Sequence, residues 1–164
     1  MHTKNIVIFF LVLGGLLGLL VWFGNNQSLS AGGSSTKSEL SSDEVLYDFG
    51  TISMANGKVS HRFKIKNESA KDILIPSLTT SCMCTSAAFI RSDGSRNGPF
   101  GMPGMGIVPK ANEWIKVGET KEIEVVYDPA AHGPAGVGRI DRFVYLQDDV
   151  DGKIEFEIKA LVTP

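Results

Sequence analysis

The sequence has little of what marks several large classes of protein. It contains only two cysteines, far fewer than a small domain held together by disulfide bonds needs. Lysine and arginine form no basic block and the formal net charge is −2, so we expect no binding of nucleic acid. Phosphate-binding loops, G-x-S-x-G nucleophile elbows and H-E-x-x-H zinc motifs are absent from the sequence. We therefore expect a protein that is not an enzyme.

Residues 6–23 form an uninterrupted apolar run without a charge. At 1.5 Å per residue this run makes a helix of about 27 Å, close to the thickness of the hydrocarbon core of a membrane. Lys4 precedes the run and the next cation, Lys37, lies far beyond it, which predicts an N-terminus inside the cell and a remainder outside. We predict a cytoplasmic stub (1–5) and a single-pass anchor in the cell membrane (6–23). If the run is instead a cleaved signal peptide, the rest of the chain is secreted.

Periodic apolar residues are missing from residues 24–44, which are rich in serine, glycine and asparagine. This composition is typical of a flexible linker, with a root-mean-square reach of about 25 Å. We predict that the linker holds a folded extracytoplasmic domain, residues 45–164, just clear of the membrane.

No segment of residues 45–164 has the period of an amphipathic helix. Apolar and polar residues alternate instead, over short runs that turn residues separate. Within residues 59–66, for example, Val59, Phe63 and Ile65 share one face of a strand. Six or seven such runs in about 120 residues predict a two-sheet antiparallel β-sandwich. The runs that we assign to strands are 45–49, 59–66, 120–127, 140–146 and 153–162, together with a strand that starts at 73–75 and leads through Leu78 and Thr80 into the cysteine pair.

Residues 91–113 break this rhythm, because they contain five glycines, three prolines and two methionines. Loops of this length that lack structure of their own are uncommon and tend to be functional. We predict an interaction loop over this segment, with Phe100, Met102 and Met105 as its contact residues.

Both cysteines, Cys82 and Cys84, lie one residue apart in a strand-like segment, so that both side chains point to one face. In an extended strand such positions are about 6.6 Å apart, near the upper limit for a disulfide bond. A Cys82–Cys84 bond therefore requires a local kink and is predicted to be easily reduced. Outside the cytoplasm this chemistry fits thiol–disulfide exchange.

Two further interpretations of the cysteine pair remain open. Thiolate and thioether sulfur select Cu(I), so Cys82 and Cys84 can form a soft-metal site with Met102, Met105 and His132. A closed zinc site is disfavoured, because two cysteines and one histidine fall short of four ligands. In the other interpretation the cysteines are small buried apolar residues, and the protein has no cofactor.

The order of several short motifs resembles a known bacterial family. The motifs are YDFGTI at 47–52, HRFKIKN at 61–67, SCMCT at 81–85, VGET at 117–120 and VVYDP at 125–129. They are similar to those of the domain-of-unknown-function 1573 family, and the resemblance implies an immunoglobulin-like sandwich in the cell envelope, without an established activity. Met83 stands where that family usually has glycine, and the loop at 91–113 is longer than its usual link.

These observations predict a membrane-anchored, extracytoplasmic module of immunoglobulin-like fold, with about seven antiparallel strands. Its expected function is to bind another envelope protein or polymer without catalysis. A Cu(I) carrier or sensor that uses Cys82 and Cys84 is the first alternative, and a thiol–disulfide exchange partner is the second.

Overall fold

The computed structural model of the protein describes residues 36–107 and 109–164. The predicted stub and anchor, and the linker as far as residue 35, lie outside the described residues. Within the described residues, no helix is both long and apolar enough to cross a membrane. Two short 3-10 helices, Met54–Asn56 and Gly133–Gly136, accompany twelve strands there, and the predicted all-β class is confirmed.

The strands, in chain order, have the following bounds: β1 Thr36–Lys37, β2 Leu40–Ser41, β3 Leu46–Ser53, β4 Val59–Asn67, β5 Ile73–Ile75, β6 Ser77–Thr80, β7 Thr85–Ile90, β8 Arg96–Phe100, β9 Glu113–Ile115, β10 Thr120–Tyr127, β11 Gly138–Gln147 and β12 Gly152–Thr163. In the first sheet β11 lies between β6 and β12, and both β1 and β3 pair with β12. The second sheet has the order β2-β4-β10-β7-β8. A small third sheet pairs β5 with β9.

The apolar core lies between the first and second sheets. Alternating side chains of β4 and β10 meet those of β11 and β12, and the ring of Phe63 stacks on that of Phe156 with centroids 4.8 Å apart. This close packing of two inner faces is the defining feature of a β-sandwich. The strands in which apolar and polar residues alternate clearly therefore lie where this alternation predicted them.

The prediction of a wholly antiparallel sandwich was wrong at one edge. β3 pairs in parallel with β12, with Leu46 opposite Glu157, and β1 also pairs in parallel with it. β11 and β12 form a long hairpin that fills the opposite edge of β12. Since no hairpin turn links β3 to β12, nothing constrains their pairing to be antiparallel.

The prediction of a flexible linker was also wrong over residues 36–44. Leu40 is buried in the core and β2 pairs with β4. Buried Ser38 donates a hydrogen bond from Oγ to the carboxylate of Asp148, 2.6 Å away, in the turn between β11 and β12. Strands of two residues carry no detectable alternation, so composition suggested a linker where the chain in fact adds to both sheets.

Residues 91–113 contain β8 and the first residue of β9, so the prediction of a loop over the whole segment was wrong in part. The amide of Arg91 donates to the carbonyl of Ser95, 2.9 Å away, and closes a hairpin turn in which Gly94 has a φ of +80°. β8 follows and pairs with β7. Phe100, expected among the exposed contact residues, is only 1% exposed and packs against Phe89.

A buried carboxylate joins the two ends of this segment. Glu113 is 3% exposed and accepts hydrogen bonds from Arg91 Nη2 at 2.7 Å, from Asn97 Nδ2 at 2.8 Å and from the ammonium group of Lys121. Burial alone would raise the pKa of Glu113, but these three donors outweigh it and lower the pKa to about 2. The ionised carboxylate therefore fixes β9 beside β8 and β10.

We expect Glu113→Gln to lower the free energy of unfolding by about 3 kcal/mol near neutral pH. A carboxylate whose pKa is depressed in the folded state stabilises the fold above its ordinary pKa of 4.5, and this stability is lost as the pH falls towards about 2. Urea unfolding of both proteins at about pH 7 and about pH 3 measures the difference, which should shrink at the lower pH.

The control for this experiment is Glu122→Gln, because Glu122 pairs with the exposed guanidinium of Arg62. Its effect should stay below about 1 kcal/mol, as for other surface ion pairs. A Glu113→Gln deficit of the same size at both pH values would contradict the stabilising role of the ionised carboxylate.

Candidate functional site

Both cysteines lie in a tight turn, residues 81–84, that connects β6 to β7. The prediction that this segment is strand-like was wrong, and the local kink that a disulfide requires is present. The Cα atoms of Cys82 and Cys84 are 5.3 Å apart and a disulfide bond joins the two residues. The amide of Thr85 donates to the carbonyl of Cys82 at 3.1 Å, which closes the turn.

Hydrogen bonds fix the turn to both sheets. The amide of Ser81 donates to the carbonyl of Phe143 on β11, and the amide of Phe143 donates to Ser81 Oγ, both over 2.9 Å. On the other side, the amide of Asp128, just after β10, donates to the carbonyl of Cys84 at 2.9 Å. Buried Thr80 donates from Oγ1 to the carbonyl of Cys82, 3.0 Å away. The sulfur atoms therefore have positions that the whole sandwich determines.

The two sulfur atoms have different surroundings. Cys82 is partly exposed, and its Sγ lies 3.2 Å from Nε2 of the exposed side chain of His132. Cys84 is 3% exposed and belongs to the core. Its Sγ accepts a hydrogen bond from Nε of Arg142 at 3.3 Å. One sulfur thus faces solvent beside an imidazole, while the other is enclosed beside a guanidinium.

His132 reaches the pair through a series of turns that follow β10. The carboxylate of Asp128 accepts from the amide of Ala130 at 3.0 Å, and the amide of Gly133 donates to the carbonyl of Ala130 at 2.9 Å. These turns carry the chain back over the 81–84 turn before the Gly133–Gly136 helix. The structure therefore brings together three of the predicted ligands, Cys82, Cys84 and His132, whose ligand atoms all lie within 4.8 Å of one another.

Arg142 was not among the predicted site residues, although the sequence contains a signal for it. It lies on β11 between Ile140 and Val144, at a position whose alternation points into the core. A charged residue at an inward position requires a partner there.

The neighbouring Tyr127 does not transfer a proton near neutral pH. Burial raises the pKa of its phenol, and the positive charge of Arg142 offsets this rise only in part.

Met102 and Met105 lie in a neighbouring groove of about 310 Å³ that Met83 also lines. Neither cysteine lines this groove, and His132 does not line it either. The amide of Thr80 donates to the carbonyl of Gly101 at 3.2 Å, which fixes one end of the groove beside the cysteine turn. The predicted set of soft ligands is therefore divided into a cysteine–histidine cluster and a methionine groove.

Part of the chain matches a known protein family. Residues 40–95 match the family described as "Protein of unknown function (DUF1573)". The family resemblance predicted from the sequence is confirmed. The matched segment of the chain includes both cysteines and the hairpin turn that follows β7. Comparison with curated proteins finds no match.

Solved structures resemble the chain in fold. A protein of unknown function from Porphyromonas gingivalis W83 is 15% identical, with a TM-score of 0.55 over 82% of this chain. The chain spans about half of that protein, 51% of its length. The ASH / PapD-like domain 7 of human CEP192 is 8% identical, with a TM-score of 0.48, over 84% of this chain and 92% of that domain.

The substitution Thr80→Val tests how the turn is held. Valine has nearly the same shape but lacks the hydroxyl, whose oxygen lies 3.0 Å from the carbonyl oxygens of both Cys82 and Thr85, so we expect the free energy of unfolding to fall by about 1 kcal/mol. Urea unfolding of the oxidised chain measures this, with Thr79→Val on the same strand as the matched control. Equal stability of the two variants would contradict this role of the Thr80 hydroxyl.

Proposed function

We propose that this chain is a membrane-held, extracytoplasmic β-sandwich whose Cys82–Cys84 disulfide exchanges with the dithiol of a partner protein. The observation that carries the proposal is the difference between the two sulfur atoms: Cys82 is open to solvent beside His132, and buried Cys84 accepts a hydrogen bond from Arg142. The apolar run at residues 6–23 supports the anchor and the location outside the cytoplasm, where disulfide bonds persist.

The exposure of the sulfurs sets the direction of exchange. A thiolate of the partner attacks Sγ of Cys82, a new bond forms between these two sulfurs, and the Cys82–Cys84 bond breaks. Cys84 leaves as a thiolate that accepts the Arg142 hydrogen bond, which strengthens because hydrogen bonds to ionised acceptors are stronger than those to neutral ones.

A second thiolate of the partner then completes the exchange. It attacks the partner's own sulfur in the mixed disulfide and releases Cys82 as a thiolate. His132 Nε2, at 3.2 Å, is placed to give that sulfur a proton. Two electrons pass from the partner dithiol, which becomes a disulfide, to the cysteine pair, which becomes a dithiol. The chain changes redox state in each exchange, so it acts as a carrier of electrons.

A second candidate function is binding of an envelope protein or polymer without redox chemistry. The specific observation in its favour is an apolar surface beside the cysteine turn, formed by Met83 (53% exposed), Met105 (58%) and Ile107 (98%). In this case the disulfide takes no part in the function. Removal of Cys82 and Cys84 would then leave partner binding unchanged, whereas it would abolish exchange.

The substitution Arg142→Gln tests the proposed exchange. Loss of the donor to Cys84 Sγ should slow reduction of the disulfide by about tenfold, because a hydrogen bond to a charged group contributes about 1.5–3 kcal/mol and only part of that charge has developed in the transition state. The measurement is the rate at which dithiothreitol reduces the full chain in detergent, followed by acid quenching and a thiol count.

The matched control is Arg139→Gln, which removes an exposed arginine from the same strand. Its rate of reduction should equal that of the wild type. If both variants are reduced at the wild-type rate, Arg142 does not stabilise the leaving thiolate and the proposed direction of exchange is wrong.

A further inference from the structure

Reduction of the disulfide would leave three metal-binding groups close together. The sulfur atoms of Cys82 and Cys84 and a ring nitrogen of His132 all lie within 4.8 Å of one another. The sulfurs come from a turn that hydrogen bonds fix to both sheets, and His132 comes from a separate series of turns after β10. The sandwich therefore places the turn that carries both cysteines beside His132.

We propose that the reduced cysteine pair and His132 form a three-coordinate Cu(I) site, so that the protein holds copper only after its disulfide has been reduced. Binding removes one proton from each thiol and releases both to solvent, while the copper remains Cu(I) and no electron moves. The inference uses the reduced state that the proposed function generates, but the site does not require a partner protein.

Charge favours Cu(I) at this site. Two thiolates and one Cu(I) ion carry a net charge of −1, which the guanidinium of Arg142, with Nε 3.3 Å from the buried Cys84 Sγ, offsets. With Zn²⁺ the same ligands form a neutral complex, which leaves the Arg142 cation without a counter-charge. A structural zinc site would also need a fourth protein ligand, whereas the cluster supplies three.

Ligand chemistry agrees with this choice. Cysteine thiolates are soft ligands and select Cu(I) over the harder divalent ions. The thioethers of Met83, Met102 and Met105 lie in the adjoining groove, which neither cysteine lines. We therefore assign the copper ligands to Cys82, Cys84 and His132, and leave Met102 and Met105, expected from the sequence as ligands, outside the set.

The test is a competition experiment on the full chain in detergent, reduced and kept without oxygen. Cu(I) is supplied as its complex with the chromogenic chelator bicinchoninate, and the thiols are counted by alkylation with and without the metal. We expect one Cu(I) per chain and protection of both thiols, and X-ray absorption should show two sulfur ligands and one nitrogen. The oxidised chain should take no copper from the chelator.

Variants identify the ligands. His132→Gln removes an exposed side chain and should weaken Cu(I) binding by about tenfold or more, without loss of the fold. Cys84→Ser should abolish binding at the chelator concentration used, and Met105→Leu, the matched control, should leave the affinity unchanged. The inference is overturned by no Cu(I) uptake, by full affinity in His132→Gln, by a larger loss in Met105→Leu than in His132→Gln, or by Zn²⁺ displacing the copper.

The same preparation separates this inference from the proposed function. A chain that exchanges with dithiothreitol but takes no Cu(I) overturns the inference alone. A chain that binds Cu(I) through two thiols when reduced, but whose Cys82–Cys84 disulfide does not exchange with a dithiol protein, overturns the proposed function alone.

Discussion

The attachment of one four-residue turn to both sheets is the constraint on which the rest of the site depends. Residues 81–84 bond to Phe143 on one side and to Asp128 on the other, so the backbone groups of the turn are paired with both layers of the sandwich. A buried backbone group that loses its hydrogen-bond partner lowers the stability of the fold. This cost keeps the turn closed and in place. As a result, the fold itself decides that the sulfur of Cys82 meets solvent and that of Cys84 meets the core.

Arg142 makes the difference between the two sulfur atoms important for their chemistry. A guanidinium at an inward position of a strand is costly unless its donors are satisfied, and one of its donors here reaches Cys84 Sγ. Disulfide sulfur is a weak acceptor, whereas a thiolate is a strong one, so the contact is worth more after the bond has been broken than before it. The surroundings of Cys84 are therefore better matched to the reduced state, either as a free thiolate or as a thiolate bound to a metal.

Strands with a clean period of two were predictable from the sequence, and β4, β10, β11 and β12 lie close to their predicted bounds. β8 was not predicted because Gly98 and Pro99 interrupt the alternation of apolar and polar residues. β1 and β2 were not predicted because strands of two residues are too short to show an alternation. The alternation of side chains along a strand predicted that Cys82 and Cys84 lie on one face of a strand. They lie in a turn instead, and because backbone groups distant in sequence stabilise that turn, the local sequence does not indicate it. His132 was found by its chemistry, while the position of Arg142 among inward apolar residues was an available signal that the prediction did not use. The anchor at residues 6–23 stays a prediction.

In the proposed exchange, the partner thiolate attacks Cys82 and Cys84 is the leaving group. The most direct test treats the single-cysteine variants Cys84→Ser and Cys82→Ser, as folded full chains, with oxidised glutathione and maps the mixed disulfide by mass spectrometry. We expect Cys84→Ser to form the mixed disulfide readily at Cys82, whereas buried Cys84 in Cys82→Ser should stay unmodified until urea unfolds the chain. Equal modification of the two folded variants would contradict it.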